Sequence, residues 1–281
     1  MRQIRAEVIK DTVKDLFIEA NYVIGKDIYK KLKEQHEKEE SEVGKSILKQ
    51  IIENDEIAAK ERIAICQDTG LAVLFIELGQ DVRIVGGDFN EAVNQGVREA
   101  YTDGYLRKSA VTDPLFDRKN TKDNTPAIIH IEIVPGDRIK ILVTPKGFGS
   151  ENMSALKMLK PADGVKGVKD FVVETAVKAG PNPCPPIIVG VGIGGTVEKA
   201  ALMAKKATLR PVGQHNPDER YARLEQEILE EINKSGIGPG GLGGRTTALA
   251  VNIEHFPTHI AGLPVAVNIC CHAARHAETM I

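Results

Sequence analysis

Three cysteines of this 281-residue chain lie in short segments of turn-forming and polar residues that are far apart in the sequence. Cys66 is followed by Gln, Asp, Thr and Gly, Cys184 stands between prolines, and Cys271 precedes a histidine. A cysteine that serves only as a small buried hydrophobe is expected inside an apolar run, which describes Cys270 but neither Cys66 nor Cys184. The pattern therefore predicts a fold whose loops carry sulfur ligands, which only tertiary structure can bring together.

The number of these cysteines favours one cofactor. Three thiolates on a cubane iron–sulfur cluster leave one iron without a protein ligand. An iron with an open position is a Lewis acid, so it suits hydration or dehydration rather than electron transfer. Cys270 and Cys271 would point to opposite faces of a continuing strand, so we expect only one of them to be the third ligand. The sequence has no Cys-x-x-Cys pair, which disfavours a zinc ribbon or a redox dithiol.

Composition excludes several other classes of protein. The formal net charge of −2 and the pI of about 6.4 lack the basic surplus of nucleic-acid-binding proteins. The apolar runs are too short to span a bilayer and the N-terminus has no apolar signal core, so we expect no membrane partner. We therefore expect a cytoplasmic protein, in which four cysteines are not a disulfide framework.

Hydrophobic periodicity predicts an α/β fold of the mixed α+β kind, with a helical N-terminal layer packed on a mixed sheet. We expect one domain over residues 1–281, helical over about 1–60 and α/β over about 61–281. Asp27 is predicted to cap a helix, and the charged run 36–42 to be a solvated face or a loop. Further helices are predicted at 90–106, 164–179, 197–207 and 219–233, and strands at 63–65, 71–78, 82–85, 187–191, 246–253 and 263–269.

Two local predictions concern the pairing of strands and a second metal site. Strands at 127–134 and 138–143 are predicted to form a hairpin through Pro135-Gly136-Asp137. His272 and His276 are four residues apart on a possible terminal helix, and with a cysteine they are an alternative zinc site.

Three glycine-rich segments are candidates for ligand contact. The sequence from Gly190 to Gly195 satisfies G-x-G-x-x-G between a predicted strand and a predicted helix. Its backbone amides could bind a cluster or a carboxylate, its glycines could allow close helix packing, or it could bind NAD in an oxidoreductase, in that order of preference. The NAD interpretation is weakened because 208–218 is a polar loop without the expected second strand. The other segments are 238–244 and 146–152, and the second combines a lysine with polar side chains that suit an anionic substrate.

An ordered set of motifs resembles one known family. The set is Cys66-Gln67-Asp68-Thr69-Gly70, 146–152, Cys184-Pro185-Pro186, the 190–196 loop, 259–268 and Cys271-His272-Ala273. In this order the motifs resemble the class I, iron–sulfur-dependent fumarate hydratases and L-tartrate dehydratases. The resemblance runs from about residue 5 to the C-terminus. It matches the cluster-binding N-terminal part of the one-chain enzymes, or the alpha subunit of the two-chain enzymes.

The resemblance implies a 4Fe–4S cluster and a dicarboxylate site. The implied ligands are Cys66, Cys184 and Cys271, and the implied substrate contacts are Gln67, Asp68, Arg107, Gly149 of the 147–149 loop and His259, with Asp68 and His259 in catalytic roles. The implied function is reversible hydration of fumarate to L-malate, a reaction of the tricarboxylic acid cycle, with L-tartrate dehydration as the alternative. The chain ends ten residues beyond Cys271, so we expect a beta subunit to supply the remaining groups.

Overall fold

A computed structural model describes all residues 1–281, which form helices, three β-sheets and two large hydrophobic cores. The predicted mixed α/β class is confirmed. No helix is both long enough and apolar enough to cross a membrane. The single domain over 1–281 stays a prediction, because the contacts divide the chain into two compact units that are described separately. Unit one comprises Met1–Ile24, Asp55–Phe148 and Arg275–Ile281, and unit two comprises Gly25–Asn54 and Gly149–Ala274.

Most predicted elements are present, and β1, β6 and β10 are additional strands. The helices are α1 (Ala6–Tyr22), α2 (Lys26–Lys38), α3 (Glu42–Glu61), α4 (Phe89–Asp103), α5 (Phe148–Glu151), α6 (Gly164–Ala179), α7 (Val197–Ala207) and α8 (Glu219–Asn233). The strands are β1 (Arg2–Arg5), β2 (Leu71–Gly79), β3 (Val82–Val85), β4 (Ile128–Val134), β5 (Ile139–Lys146), β6 (Ala155–Leu159), β7 (Ile187–Gly194), β8 (Ala248–Phe256), β9 (Leu263–Cys270) and β10 (Ala277–Met280).

Unit one packs α1 and α4 on a four-stranded sheet of order β10-β5-β2-β4, beside a small β1-β3 sheet. Phe17 of α1 and Tyr101 of α4 are fully buried and lie 6.2 Å apart between ring centroids. The helices approach closely at Gly96, where a Cβ would lie 2.5 Å from the carbonyl oxygen of Lys10. This packing fixes the end of α4, after which the chain continues to Arg107.

The predicted β4–β5 hairpin is wrong. Strand β2 lies between the two, and its Leu74 is paired with Ile129 of β4 on one side and Val143 of β5 on the other. The turn signal at Pro135-Gly136-Asp137 identifies a reversal of the chain, but it does not determine which strands become neighbours. Residues 72–76 of β2 are all buried, which is typical of a central strand covered on both faces.

Unit two has a four-stranded sheet of order β6-β9-β7-β8, with β7 parallel to β8 and antiparallel to β9. The core between this sheet and helices α6 and α8 is aliphatic. Helix α7 contacts the glycines of β7, where a Cβ on Gly190 or Gly192 would lie 2.0 Å from the carbonyl oxygen of Ala204 or Ala200. The G-x-G-x-x-G spacing therefore serves close packing, because these two glycines lie inside the strand and not in the turn after it.

Two capping and strand predictions fail for local reasons. Asp27 is not an N-cap, because α2 begins at Lys26 after Gly25, and the Asp27 carboxylate instead accepts a 2.7 Å hydrogen bond from the amide of Val212. Residues 63–65 form no strand, and the amide of Ile63 donates to Ala58 at the end of α3. No helix contains residues 272–276, so the helical spacing assumed for the zinc site is wrong.

The charged run 36–42 is not simply solvated. Glu39 is 2% exposed, and its carboxylate accepts 3.0 Å hydrogen bonds from the amides of Arg245 and Thr246. Burial alone raises the pKa of Glu39, but hydrogen bonds from the amides of Arg245, Ser41 and Thr246 outweigh it and lower the pKa. The buried Glu39 carboxylate thus fixes the backbone at the end of the 238–246 segment in unit two.

Candidate functional site

The Cys66–Gly70 segment of unit one is an irregular loop between α3 and β2. Cys66 is half-buried, and its Sγ lies 3.5 Å from Oε1 of the exposed Gln67. Gly70 has a φ of 72°, and a Cβ there would lie 2.7 Å from the backbone of Lys146. Only glycine fits that approach, so the loop turns sharply onto the end of β5.

Asp68 ties this loop to the glycine segment after β5. Its Oδ1 accepts a 3.0 Å hydrogen bond from the amide of Gly70, and its Oδ2 accepts a 2.9 Å bond from the amide of Phe148. Asp68, Leu71, Ser109, Pro126 and Phe148 are among the residues that line a cavity of about 530 Å³. Each Asp68 oxygen keeps a further lone pair, so the carboxylate is oriented while it can still accept a hydrogen bond from a ligand.

Arg107 is fixed through its backbone and not through its side chain. The Oγ1 of Thr69 accepts a 2.9 Å hydrogen bond from the Arg107 amide and donates a 3.1 Å bond to the Arg107 carbonyl. Arg107 is exposed and its guanidinium forms no ion pair within the chain. The structure therefore places the backbone of Arg107 against Thr69, the residue after Asp68, and leaves the five guanidinium donors open to a ligand.

Two buried residues that sequence reasoning missed hold these loops in register. Asn124 donates from Nδ2 to the Gly70 carbonyl at 3.1 Å, and its Oδ1 accepts from the amides of Ser109 and Ala110. The hydroxyl of Tyr101 lies 2.7 Å from the carbonyl oxygen of Thr69, and burial raises the pKa of Tyr101. The signal for Asn124 is faint, because an Asn between Asp and Thr reads as an ordinary turn residue.

In unit two, the loops that carry Cys184 and Cys271 are neighbours. The amide of His272 donates a 3.4 Å hydrogen bond to the carbonyl of Cys184. Cys184 is exposed and has a φ of 54°, a left-handed conformation that is uncommon for a residue with a side chain. Its amide donates to Pro181, so the turn is closed by a backbone bond.

The two adjacent cysteines at the end of β9 differ in environment. Cys270 is 7% exposed and is paired with Ile188 in the sheet, whereas Cys271 follows the strand and is half-buried. None of the four cysteines of the chain forms a disulfide. Of the two, Cys271 is the more exposed, and Cys270 has the environment of a core residue.

The segment after Gly149 is anchored to β9. Glu151 accepts a 2.9 Å hydrogen bond from Asn268 and forms an ion pair with Lys205. Gly149 is exposed, and a Cβ there would meet only the carbonyl oxygen of Asn182, at 3.5 Å. Gly149 therefore lies near the 181–184 turn of unit two, and no side chain covers its backbone on that side.

His259 lies at the other end of β9 from Cys271. It is exposed in the turn between β8 and β9, and its Nδ1 accepts a 3.2 Å hydrogen bond from the amide of Ala261. An eight-residue strand spans about 25 Å, so the structure does not bring His259 to Cys271. His259 instead lines a cavity of about 400 Å³ with Val165, Ile193 and Tyr221 among others.

The chain contains no group of three or more His, Cys, Asp or Glu side chains arranged to hold a single metal ion. The alternative zinc site at His272 and His276 therefore has no support. A cubane cluster needs a different arrangement of ligands, because each thiolate binds a separate iron atom and the thiolates do not converge on one ion. Cys66, Cys184 and Cys271 are exposed or half-buried outside the regular strands, which fits such ligands, and the turn of Cys184 is closed by a backbone hydrogen bond.

Comparison with known proteins gives consistent similarity over almost the whole chain. Residues 10–280 match the family model described as fumarate hydratase (Fumerase). The chain is 46% identical over 280 residues to "Putative L(+)-tartrate dehydratase subunit alpha" of Methanocaldococcus jannaschii, covering 96% of both chains. It is 36% identical over 259 residues to L(+)-tartrate dehydratase subunit alpha of Escherichia coli O157:H7, covering 91% of this chain and 84% of that protein. The protein of E. coli K12 with the same name is 35% identical over the same length. The chain therefore belongs to the fumarate hydratase (Fumerase) family.

Proposed function

We propose that this protein is the alpha subunit of a two-subunit iron–sulfur hydro-lyase that interconverts fumarate and L-malate in the cytoplasm. The observation that carries the proposal is the family match over residues 10–280, together with three cysteines in exposed or half-buried loop positions. A second candidate is L-tartrate dehydration, which is favoured by the names of the relatives. Both reactions remove or add water at a four-carbon dicarboxylate.

We propose Cys66, Cys184 and Cys271 as the ligands of a 4Fe–4S cluster. The left-handed conformation of Cys184 and the position of Cys271 just beyond β9 support this choice, and the burial of Cys270 argues against that residue. When bound, the cluster would supply a Lewis-acidic iron that makes the substrate hydroxyl a better leaving group.

The side chains of this protein would bind and orient the substrate. Arg107 is suited to bidentate recognition of a carboxylate, a contact worth about 1.5–3 kcal/mol, because its guanidinium is unpaired and its backbone is fixed by Thr69. Asp68, oriented by the amides of Gly70 and Phe148, would orient the substrate or share a proton with it.

Three further substrate contacts are proposed, of which His259 lies at the other end of β9 from Cys271 in this structure. The Gln67 amide and the backbone of Gly149 would donate hydrogen bonds to carboxylate oxygens. His259 is proposed to bind a carboxylate in a catalytic role, from the cavity at the start of β9. A beta subunit would supply the remaining proton-transfer groups, which the designation "subunit alpha" of the relatives supports.

Anaerobic reconstitution with iron and sulfide tests the cofactor. We expect a brown protein with broad absorption in the blue region, and loss of that absorption in Cys66→Ala, Cys184→Ala and Cys271→Ala. The matched control is Cys270→Ala, which removes the neighbouring sulfur and should keep the absorption. Full iron and sulfide binding by the triple variant of Cys66, Cys184 and Cys271 would overturn the ligand assignment.

Steady-state rates test the reaction and the partner. The reconstituted chain is assayed alone and together with its beta subunit, on fumarate, L-malate and L-tartrate. We expect turnover only in the paired protein, with kcat/KM highest for fumarate and L-malate. Preference for L-tartrate would select the second candidate, and a loaded pair that is inactive on all three substrates would overturn the proposed function.

A further inference from the structure

Arg275 is a buried cation without an acidic partner. It is 2% exposed, and no carboxylate lies within ion-pair distance of its guanidinium. Its single side-chain hydrogen bond runs from Nη1 to Oδ1 of Asn21, a neutral amide, at 3.1 Å. Its Nε is fully buried and has no hydrogen-bond partner. Sequence analysis did not identify this residue.

A guanidinium in this state is unusual, because removing a charge from water is costly unless an opposite charge or several hydrogen bonds compensate it. Arg210 in unit two shows the ordinary solution. It is also largely buried, but it pairs with both Glu225 and Glu254. Arg275 has only Asn21, so its positive charge is not compensated by any carboxylate within ion-pair distance.

The nearest predicted site residue is Asp68. A Cβ built on Gly147 would lie 3.2 Å from Oδ2 of Asp68 and 3.5 Å from Nη2 of Arg275, so these two atoms are at most 6.7 Å apart. They are farther apart than the 4.0 Å of an ion pair. A side chain at Gly147 would contact both of these atoms, and glycine leaves that space open.

Arg275 is also linked to the loop that carries Cys66. Asn21, which accepts its hydrogen bond, also accepts at its backbone carbonyl a 2.9 Å bond from the amide of Ile65. The carbonyl of Arg275 accepts a 3.0 Å bond from the hydroxyl of Thr144 on β5. The backbone of Arg275 is therefore fixed to β5, and its guanidinium is bonded to the residue whose carbonyl accepts from the segment just before Cys66.

We propose that Arg275 is a positioning residue of the proposed active site, whose unpaired charge offsets the combined negative charge of Asp68 and of a dicarboxylate bound beside it. The inference rests on the proposed function. An anionic substrate next to Asp68 is repelled by that carboxylate, and a guanidinium within a few ångströms on the protein side weakens the repulsion. Arg275 acts through the field at Asp68 and not through contact with the reacting atoms.

The test compares variants of the paired, cluster-loaded protein that remove the charge in different ways. Asn21→Asp is isosteric and gives Arg275 a carboxylate partner, which compensates its charge, although it also removes the 2.9 Å hydrogen bond from Nδ2 of Asn21 to the Phe17 carbonyl. Arg275→Met removes the charge, and Arg275→Lys keeps a positive charge but replaces the planar guanidinium by an ammonium group. Arg138→Met is the matched control, because Arg138 is an exposed arginine of the same unit and is not placed in the site.

We expect Asn21→Asp and Arg275→Met to raise KM for the dicarboxylate by about tenfold, with kcat and the iron and sulfide content near the wild-type values. Arg275→Lys should recover part of the affinity, and Arg138→Met should change nothing. The second readout is the L-malate concentration that half-saturates the substrate-induced change in the electron paramagnetic resonance spectrum of the dithionite-reduced cluster, which should rise by the same factor.

The outcomes separate this inference from the function on which it rests. An active wild-type pair with unchanged KM in Asn21→Asp and Arg275→Met would overturn the role of Arg275 alone. If both variants lose stability and iron content along with substrate affinity, Arg275 has a role in loop structure, and the charge argument is overturned. An inactive, fully loaded wild-type pair would overturn the proposed function, and the substrate assigned to Arg275 with it.

Discussion

Thr69 and Arg107 exchange two hydrogen bonds, one from the Arg107 amide to the threonine hydroxyl and one from that hydroxyl back to the Arg107 carbonyl. This reciprocal pair joins the loop of Cys66 to Arg107, which lies beyond the end of α4 and 38 positions along the chain from Thr69. One small side chain thus sets the position of an arginine whose own side chain remains unpaired.

Replacing Thr69 by Val should therefore reduce both stability and substrate affinity. The change leaves a part-buried amide and carbonyl of Arg107 without partners, which costs about 1–3 kcal/mol in free energy of unfolding. We expect KM to rise several-fold because Arg107 loses its fixed backbone. Urea unfolding and steady-state kinetics measure the two effects. The control is Thr102→Val, at an exposed threonine bonded only within α4, and an equal effect there would contradict the prediction.

The carboxylate of Asp123 should contribute stability that is lost in acid. Burial alone raises the pKa of Asp123, but hydrogen bonds from the side chain of Arg98 and from Thr125 outweigh it and lower the pKa from 3.8 to about 2. A pKa depressed by folding gives stability that is present above about pH 4 and is lost as the pH falls toward about 2.

We therefore expect Asp123→Asn to lower the free energy of unfolding by about 1–2 kcal/mol at pH 7, with the difference from wild type shrinking below about pH 4. Urea titrations between pH 2 and pH 7 measure this difference. A gap that stays constant across that range would show that Asp123 acts through packing and not through its charge.

Glu225 of unit two should be sensitive to loss of its charge. Its side chain is 1% exposed, pairs with Arg210, and accepts a 2.7 Å hydrogen bond from the amide of Ile253. Breaking a buried ion pair costs about 3–5 kcal/mol, so Glu225→Gln should lower the unfolding free energy by that order. The exposed Glu231–Lys234 pair supplies the control Glu231→Gln, which should leave the unfolding free energy nearly unchanged.

Gly192 should not tolerate a side chain. Its Cβ would lie 2.0 Å from the carbonyl oxygen of Ala200, so Gly192→Ala must separate α7 from β7 and should cost about 3 kcal/mol or more. Gly262→Ala, where the nearest atom would be 4.0 Å away, is the control and should be nearly neutral. Calorimetric melting measures both. If Gly192→Ala melts like wild type, packing is not the reason for the glycine spacing.

His259 should act independently of the cluster. Strand β9 separates it from Cys271, so His259→Asn should leave the iron content and the absorption of the reconstituted protein unchanged. If His259 binds a carboxylate, KM should rise several-fold while the spectrum stays the same. Loss of iron on this substitution would contradict the separation of the two ends of β9.

Candidate site residues could be named from the sequence where their chemistry depends on residue type, but not where it depends on spatial neighbours. Cys66 and Asp68 could be named from a motif and Arg107 from the family resemblance, and the structure bonds the Arg107 backbone to Thr69, the residue after Asp68. Asn124 and Arg275 could not be named, because an Asn in a polar loop and an Arg near the C-terminus carry no distinguishing pattern. Their importance appears only in what they contact.

Local periodicity was enough to determine the helices and most strands, because an amphipathic stripe such as Ile9, Val13 and Phe17 buries one face whatever lies opposite it. Strand order was decided only in three dimensions, where the apolar strand β2 displaced the expected β4–β5 hairpin. The unpaired state of the buried Arg275 is likewise a tertiary property, since charge compensation depends on distances in space that residue order does not contain.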